Sequence, residues 1–127
     1  MTRWWTLAEA RAALPEVIAL LTRLRAAAGV IGAPSAALGG HATVNGHARP
    51  PRPGDDPREL LERLSEMGVQ VKDLAAGLID FPARRARPGH PGESEAVLLC
   101  YRLGEEDILY WHDLTSGYAG RRPVAEL

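Results

Sequence analysis

Cysteine is nearly absent from this sequence, since Cys100 is the only one among 127 residues. A single cysteine excludes an internal disulfide framework of the kind that stabilises small secreted domains. An excess of charge of one sign is also missing, because 15 basic residues face 16 acidic ones and the formal net charge is −1. A broad basic surface for nucleic acid is therefore not expected.

Long apolar runs are missing as well. The longest, Ala96 to Tyr101, fits one buried strand and falls far below the roughly 18 residues of a membrane-spanning helix. The first residues include Arg3, Glu9 and Arg11 where a signal peptide has an apolar stretch. We therefore expect a protein without a membrane segment in the cytoplasm, where a lone thiol stays reduced.

Glycine and proline are present but unevenly distributed. Residues 29–58 hold 11 of the 23 (13 glycines plus 10 prolines). The length suits one domain, and we predict a single domain over residues 1–127. Within it, residues 29–54 have no hydrophobic period and are interpreted as a flexible Gly/Pro-rich insertion between two helices.

The sequence on either side of this insertion has helical character. Thr6 to Glu9 has the form of a capping box, and apolar residues follow at helical spacing to about Ala28. Pro15 predicts a short first helix followed by a kink or a restart, because proline lacks the donor N–H and disfavours helical geometry at Leu14. The second helix starts at Asp56-Pro57 and ends at Gly68, a residue suited to a left-handed C-cap. Together they predict an antiparallel helical hairpin.

The remaining sequence alternates between apolar and polar residues, which is typical of strands. Four strands are predicted, at 69–72, 78–81, 95–103 and 108–113. Pro82 is expected to end the second strand, and residues 104–107 are expected to form a hairpin turn. The predicted fold class is α+β: an N-terminal helical hairpin packed on a small antiparallel sheet of about four strands.

Three sequence blocks carry a family resemblance. They are Val71-Lys72-Asp73-Leu74 with Gly77-Leu78-Ile79-Asp80-Phe81, then Leu99-Cys100-Tyr101-Arg102-Leu103-Gly104-Glu105, then Trp111-His112 with Gly117-Tyr118-Ala119-Gly120-Arg121. In this order they resemble the bacterial family called domain of unknown function 2203. The resemblance leaves out residues 29–54 and departs at Tyr101, where the family often has tryptophan. It implies the fold and the single-domain extent, and it assigns no activity.

Polar residues of the predicted sheet supply a candidate site. One imidazole and two carboxylates, His112 with Asp80 and Glu105, predict a divalent-metal site for iron, manganese or zinc with open water positions. Such a metal can activate water. Arg121 is a candidate further member of this polar site.

Each predicted ligand also has a structural interpretation. His112 can be a partly buried imidazole bonded to Asp113, Tyr101 or the backbone. Asp80 can pair with Arg102 or Arg121, since a buried carboxylate needs a partner. Glu105 can be a turn residue.

Cys100 is either a nucleophile or a small buried apolar residue, and its place in the middle of a strand favours the second interpretation. If the hairpin closes on Glu105-Glu106, Cys100 lies opposite Trp111 and Leu99 lies opposite His112. Cys100 and His112 then point to opposite faces of the sheet. A slip of one residue reverses this conclusion.

Binding partners are constrained less tightly by the sequence. The arginines at 84, 85 and 87, with Trp4 and Trp5, could suggest nucleic-acid binding. Three loop arginines in a nearly neutral protein are instead interpreted as solvated surface, so no nucleic-acid binding is expected. The alternative to a metal protein is a non-catalytic dimeric module for structure or protein interaction. Small domains commonly gain buried surface by forming two-fold homodimers, which is why we expect a homodimer.

Overall fold

The computed structural model describes residues 3–29 and 55–127. Residues 30–54 of the predicted insertion lie outside these ranges. The described elements are the helices α1 (Leu7–Ala27) and α2 (Pro57–Met67), and the strands β1 (Gln70–Asp73), β2 (Leu78–Ala86), β3 (Ser94–Arg102), β4 (Tyr110–His112) and β5 (Arg122–Pro123). Neighbouring strands pair antiparallel in the order β1-β2-β3-β4-β5. The α+β prediction is confirmed, with five strands where about four were expected.

Helix α1 begins with the predicted capping box. The Glu9 amide donates to Thr6 Oγ1 and the Thr6 amide donates to Glu9 Oε1, both at 3.0 Å. A restart of the helix near Pro15, one of the two alternatives expected there, does not occur, because one helix runs through this residue. A proline inside a helix costs about 3 kcal/mol. A buried stripe extends on both sides of it, from Ala10 to Leu24, and its packing offsets that cost.

Helix α2 has the predicted ends. Asp56 Oδ1 accepts from the Arg58 amide at 2.9 Å, and Pro57 opens the first turn. Gly68 adopts the left-handed conformation at φ +91°. A Cβ atom at this position would lie 2.8 Å from the Cβ atom of Arg3, so the N-terminal segment also depends on glycine here.

Strand β2 passes through Pro82 instead of ending there, and it pairs with β3 as far as Ala86↔Ser94. The Pro82 carbonyl accepts from the Trp5 amide at 2.7 Å. The ring nitrogen of Pro82 therefore points to that same side, away from β3. Strand β1 pairs with β2 only up to Asp80, so Pro82 lies beyond it, where a missing donor is tolerated.

The two faces of the sheet differ in character. One face packs on the helices and forms the core with them, through Ile79, Phe81, Leu99 and Trp111. The opposite face, which we call the outer face, carries Leu78, Asp80, Leu98, Cys100, Tyr110 and His112. In the described part of the chain, no helix is long and apolar enough to cross a membrane.

The predicted register between β3 and β4 is wrong by one residue. Cys100 lies opposite Tyr110, and Leu98 lies opposite His112. The connection is not a tight hairpin turn, because β3 ends at Arg102 and β4 begins at Tyr110. Paired residues share a face, so Cys100 and His112 both lie on the outer face.

Candidate metal centre

Three adjacent strands bring one potential metal ligand each to the outer face. Asp80 on β2 is the direct cross-strand partner of Cys100 on β3. His112 on β4 lies opposite Leu98, two residues along β3 from Cys100. The carboxylate, thiol and imidazole ligand atoms all lie within 4.8 Å of one another. All three residues are buried, with 1% of Asp80, 0% of Cys100 and 4% of His112 exposed.

The hydrogen bonds of His112 fix which ring nitrogen faces the cluster. Nδ1 lies 2.7 Å from the Asp113 carbonyl oxygen. Because a carbonyl only accepts, Nδ1 carries a proton and donates it. Nε2 then faces Asp80 at 3.3 Å from both carboxylate oxygens.

A favourable contact between Nε2 and the Asp80 carboxylate requires a proton or a metal ion between them. With Nδ1 protonated, a neutral imidazole presents only a lone pair at Nε2, which a carboxylate would repel. A proton shared by the pair or a metal ion removes that repulsion. The 3.3 Å separation exceeds the roughly 2.7–2.9 Å of a charge-assisted hydrogen bond.

Burial raises the pKa values of both Asp80 and Cys100. It raises the pKa of the Asp80 carboxyl, and the neighbouring His112 opposes that shift. Burial also raises the pKa of the Cys100 thiol to about 12, assisted by the negative charge of Asp80. In the metal-free protein the thiol is therefore protonated at neutral pH, and a metal ion would have to displace that proton.

The third predicted ligand, Glu105, is engaged elsewhere. Its Oε1 accepts from the Arg102 amide at 2.8 Å, and its Oε2 accepts from Arg121 Nη2 at 2.6 Å. The Arg121 guanidinium also lies over the rings of Tyr110 at 4.1 Å and Tyr118 at 4.5 Å. The structure thus brings Asp80 and His112 together and holds Glu105 on Arg121.

The comparisons with known proteins bear on the family alone. The family model described as Uncharacterized conserved protein (DUF2203) matches residues 3–124. The chain belongs to this family. The resemblance carried by the three sequence blocks is therefore confirmed. Searches of curated proteins and of solved structures gave no match.

A cavity gives access to the cluster of this DUF2203 protein. It has a volume of about 180 Å³ and is lined by Lys72, Leu78, Asp80, Leu98, His112, Leu114, Thr115, Gly117 and Tyr118. Asp80 and His112 belong to the lining, so the buried ligand atoms lie beside space that a small molecule can enter. The cavity makes the cluster a potential site of chemistry as well as a part of the fold.

Two members of this region were not predicted as site residues. The position of Cys100 in the middle of a strand favours a small buried residue, and the predicted register places it on the face opposite His112. The observed register places both on the outer face. Lys72 could have been noticed, because it is the only lysine among 15 basic residues. It lies where the register of the β1–β2 pairing shifts, between Val71 and Asp73.

Proposed function

We propose that this protein binds one divalent metal ion through Asp80, Cys100 and His112. The observation that carries the proposal is the pairing of His112 Nε2 with the Asp80 carboxylate while Nδ1 donates to a backbone carbonyl. Ligating histidines almost always donate their second ring N–H in this way, which fixes the ring and the tautomer.

The spacing of the cluster supports a tetrahedral ion. Metal–ligand bonds of about 2.0–2.3 Å place neighbouring ligand atoms roughly 3.3–3.6 Å apart. Asp80 and His112 already have a separation of 3.3 Å. The Cys100 sulfur lies within 4.8 Å of both ligand atoms, so a small side-chain shift closes the site.

The donor set favours a particular group of metals. A thiolate with an imidazole and a carboxylate suits zinc or iron, whereas manganese and magnesium prefer all-oxygen surroundings. Three protein ligands leave a fourth position open. The cavity beside Asp80 and His112 supports an open position that a water molecule or substrate can occupy.

Cobalt(II) substitution tests the proposal directly, because a cobalt–thiolate bond gives an intense near-ultraviolet band and tetrahedral cobalt gives strong visible bands. Untagged protein is stripped of metal and titrated with cobalt. We expect one ion per chain, loss of the near-ultraviolet band in Cys100→Ala, and at least tenfold weaker binding in Asp80→Asn and His112→Gln.

Two matched variants serve as controls in this titration. His90→Ala removes an exposed imidazole and should bind cobalt as the wild type does. Glu105→Gln tests the ligand that the sequence predicted. Unchanged cobalt binding in this variant would show that Glu105 is a partner of Arg121 and not a metal ligand. A wild-type protein that takes up no cobalt, or a Cys100→Ala variant with an unchanged spectrum, contradicts the proposal.

A second candidate function is a homodimeric interaction module without catalysis, located in the cytoplasm. Leu114 and Tyr118, which are 62% and 45% exposed, lie on the rim of the same cavity and support an apolar contact there. Light scattering distinguishes the candidates: a dimer that binds no cobalt favours the module. A monomer that binds cobalt favours the metal centre.

A further inference from the structure

The cavity beside the cluster has a definite chemical character. Its walls carry three leucine side chains, Leu78, Leu98 and Leu114, and the ring of Tyr118. Its volume of about 180 Å³ is below the roughly 300–1,000 Å³ of pockets for drug-sized ligands. It therefore suits a small molecule with an aliphatic part.

The charges around the cavity select the sign of the ligand. A divalent ion with the Asp80 carboxylate and the Cys100 thiolate is neutral overall. Lys72 then remains as the one uncompensated charge among the residues that line the cavity. A site with one excess positive charge in partly apolar surroundings favours a monoanion.

A shift in the pairing of β1 with β2 determines the position of Lys72. Gln70 pairs with Asp80 and Val71 pairs with Ile79, after which the register shifts before Asp73. Lys72 thus lies in the irregular part of the edge strand, on the cavity side of the sheet. An ammonium group acts as a compact point charge with three donors, which suits a carboxylate without demanding the paired geometry of arginine.

We propose that this cavity binds a small aliphatic monocarboxylate, which completes the coordination of the metal and pairs with Lys72 while its alkyl part packs on Leu98 and Leu114. The inference rests on the proposed metal site. Inorganic phosphate is the rival anion, but it has no apolar part to place on the leucine walls.

The test uses the cobalt-loaded protein at constant ionic strength. Acetate, propionate, butyrate and phosphate are added separately, and the visible cobalt bands are followed. We expect saturable changes with the carboxylates, with affinity rising about three- to fourfold for each added methylene that enters the cavity. Phosphate should bind at least tenfold more weakly than butyrate.

Variants separate the anion site from the metal site. Lys72→Met should weaken butyrate binding at least tenfold while the chain still binds one cobalt ion, and Lys72→Arg should recover part of the loss. Arg63→Met removes one exposed positive charge from α2 and serves as the matched control, with no change in either affinity. Leu114→Ser should reduce the preference for butyrate over acetate, while Leu98 retains the rest of it.

The possible failures can be told apart. If cobalt does not bind, the proposed function is overturned and this inference is overturned with it. If cobalt binds but no carboxylate changes its spectrum, or Lys72→Met binds butyrate as the wild type does, only the carboxylate site is overturned. Tighter binding of phosphate than of butyrate would overturn the monocarboxylate as the ligand and favour a phosphate-type anion.

Discussion

A single proton determines the state of the Asp80–His112 pair when no metal is bound. Nδ1 is committed to the Asp113 carbonyl, so a hydrogen bond between Nε2 and the carboxylate requires one further proton. Removing one member of a buried pair leaves its partner without compensation, which is far more costly than exchanging the whole pair for a neutral one.

His112→Ala is therefore expected to destabilise the metal-free protein by about 3–5 kcal/mol. Adding Asp80→Asn should recover part of this loss, because a neutral amide is cheaper to bury than a carboxylate. Urea unfolding of the metal-free variants measures both changes. His90→Ala is the control, and equal stabilities of His112→Ala and His90→Ala would refute the importance of the pair.

The thiol of Cys100 should react slowly in the folded, metal-free protein. Its pKa of about 12 leaves roughly one molecule in 10⁴ as thiolate at pH 8, and the side chain is fully buried. Alkylation should be at least a hundredfold slower than in urea and should rise about tenfold per pH unit below pH 12. Fast, pH-independent alkylation of the folded protein would show an exposed thiolate.

Residue types alone allowed only part of this site to be predicted. Asp80 and His112 could be chosen because a carboxylate and an imidazole buried in a sheet require polar or charged partners. Cys100 could not be joined to them, since a one-residue error in register exchanges the faces of the sheet. The partner of Glu105 is Arg121. This pair could not be predicted, because Arg121 lies 16 residues further along the chain, just before β5.

At the scale of elements, local signals succeeded and long-range compensation was missed. The caps of both helices were predictable because Thr6, Asp56 and Gly68 act on backbone groups close in sequence. The effects of Pro15 and Pro82 were mispredicted, because the interactions that compensate for each proline involve residues distant in sequence. For Pro15 the compensation comes from the packing of the core. For Pro82 it comes from its position beyond the end of β1, where the N-terminal segment bonds to the Pro82 carbonyl and no donor is needed from the ring nitrogen.

The turn after β4 is built on Asp113. Its Oδ1 accepts from the amides of Thr115 at 2.9 Å and Ser116 at 2.7 Å. These bonds lower the pKa of the Asp113 carboxyl to about 2. The same residue supplies the carbonyl that orients His112, so the turn supports the cluster of Asp80, Cys100 and His112.

The stabilising effect of Asp113 should depend on pH in a defined window. Because the folded pKa lies below the unfolded value of about 3.9, the contribution is complete above that value and is lost as pH falls toward 2. We expect Asp113→Ala to melt at a lower temperature than the wild type at pH 6. The difference should shrink steadily between pH 4 and pH 2, and a constant difference over this range would contradict the assignment.

Two glycines of similar backbone conformation should differ in their tolerance of alanine. Gly77 and Gly89 have φ of +69° and +77°. A Cβ atom at Gly77 would lie 2.7 Å from the Leu103 side chain, whereas one at Gly89 would meet nothing within 4 Å. Both substitutions carry backbone strain of about 1–2 kcal/mol.

Gly77→Ala should cost about 1–3 kcal/mol more than Gly89→Ala, because the added methyl also displaces Leu103 from the edge of the core. Chemical denaturation of the two variants gives the difference directly. Equal stability losses would mean that Leu103 moves aside without cost.

At the scale of the whole molecule, the α+β class was predictable because the period of the apolar residues changes once, after Gly68. Helical spacing before that point and alternation after it suffice to define two layers. The fifth strand was missed because Arg122–Pro123 is too short to show a period. Its pairing with β4 becomes visible only in three dimensions.

A metal bound only by the folded state should stabilise the entire fold. At a free zinc concentration one hundred times its dissociation constant, the expected gain is about 2.7 kcal/mol, or roughly 10 °C in Tm. Differential scanning fluorimetry with and without zinc measures this shift. At the same zinc concentration, Asp80→Asn should show at most about half of this shift, because its affinity is at least tenfold lower. An equal shift in that variant would place zinc elsewhere.

The presence of a single lysine has a practical consequence for probing the fold. A protease specific for lysine can cut this sequence at one place only, after Lys72. That bond lies in the irregular edge strand β1 and separates the two helices from β2, β3, β4 and β5. The rate of one cleavage therefore reports how often the border of the sheet detaches, and ligands that occupy the neighbouring cavity should slow it.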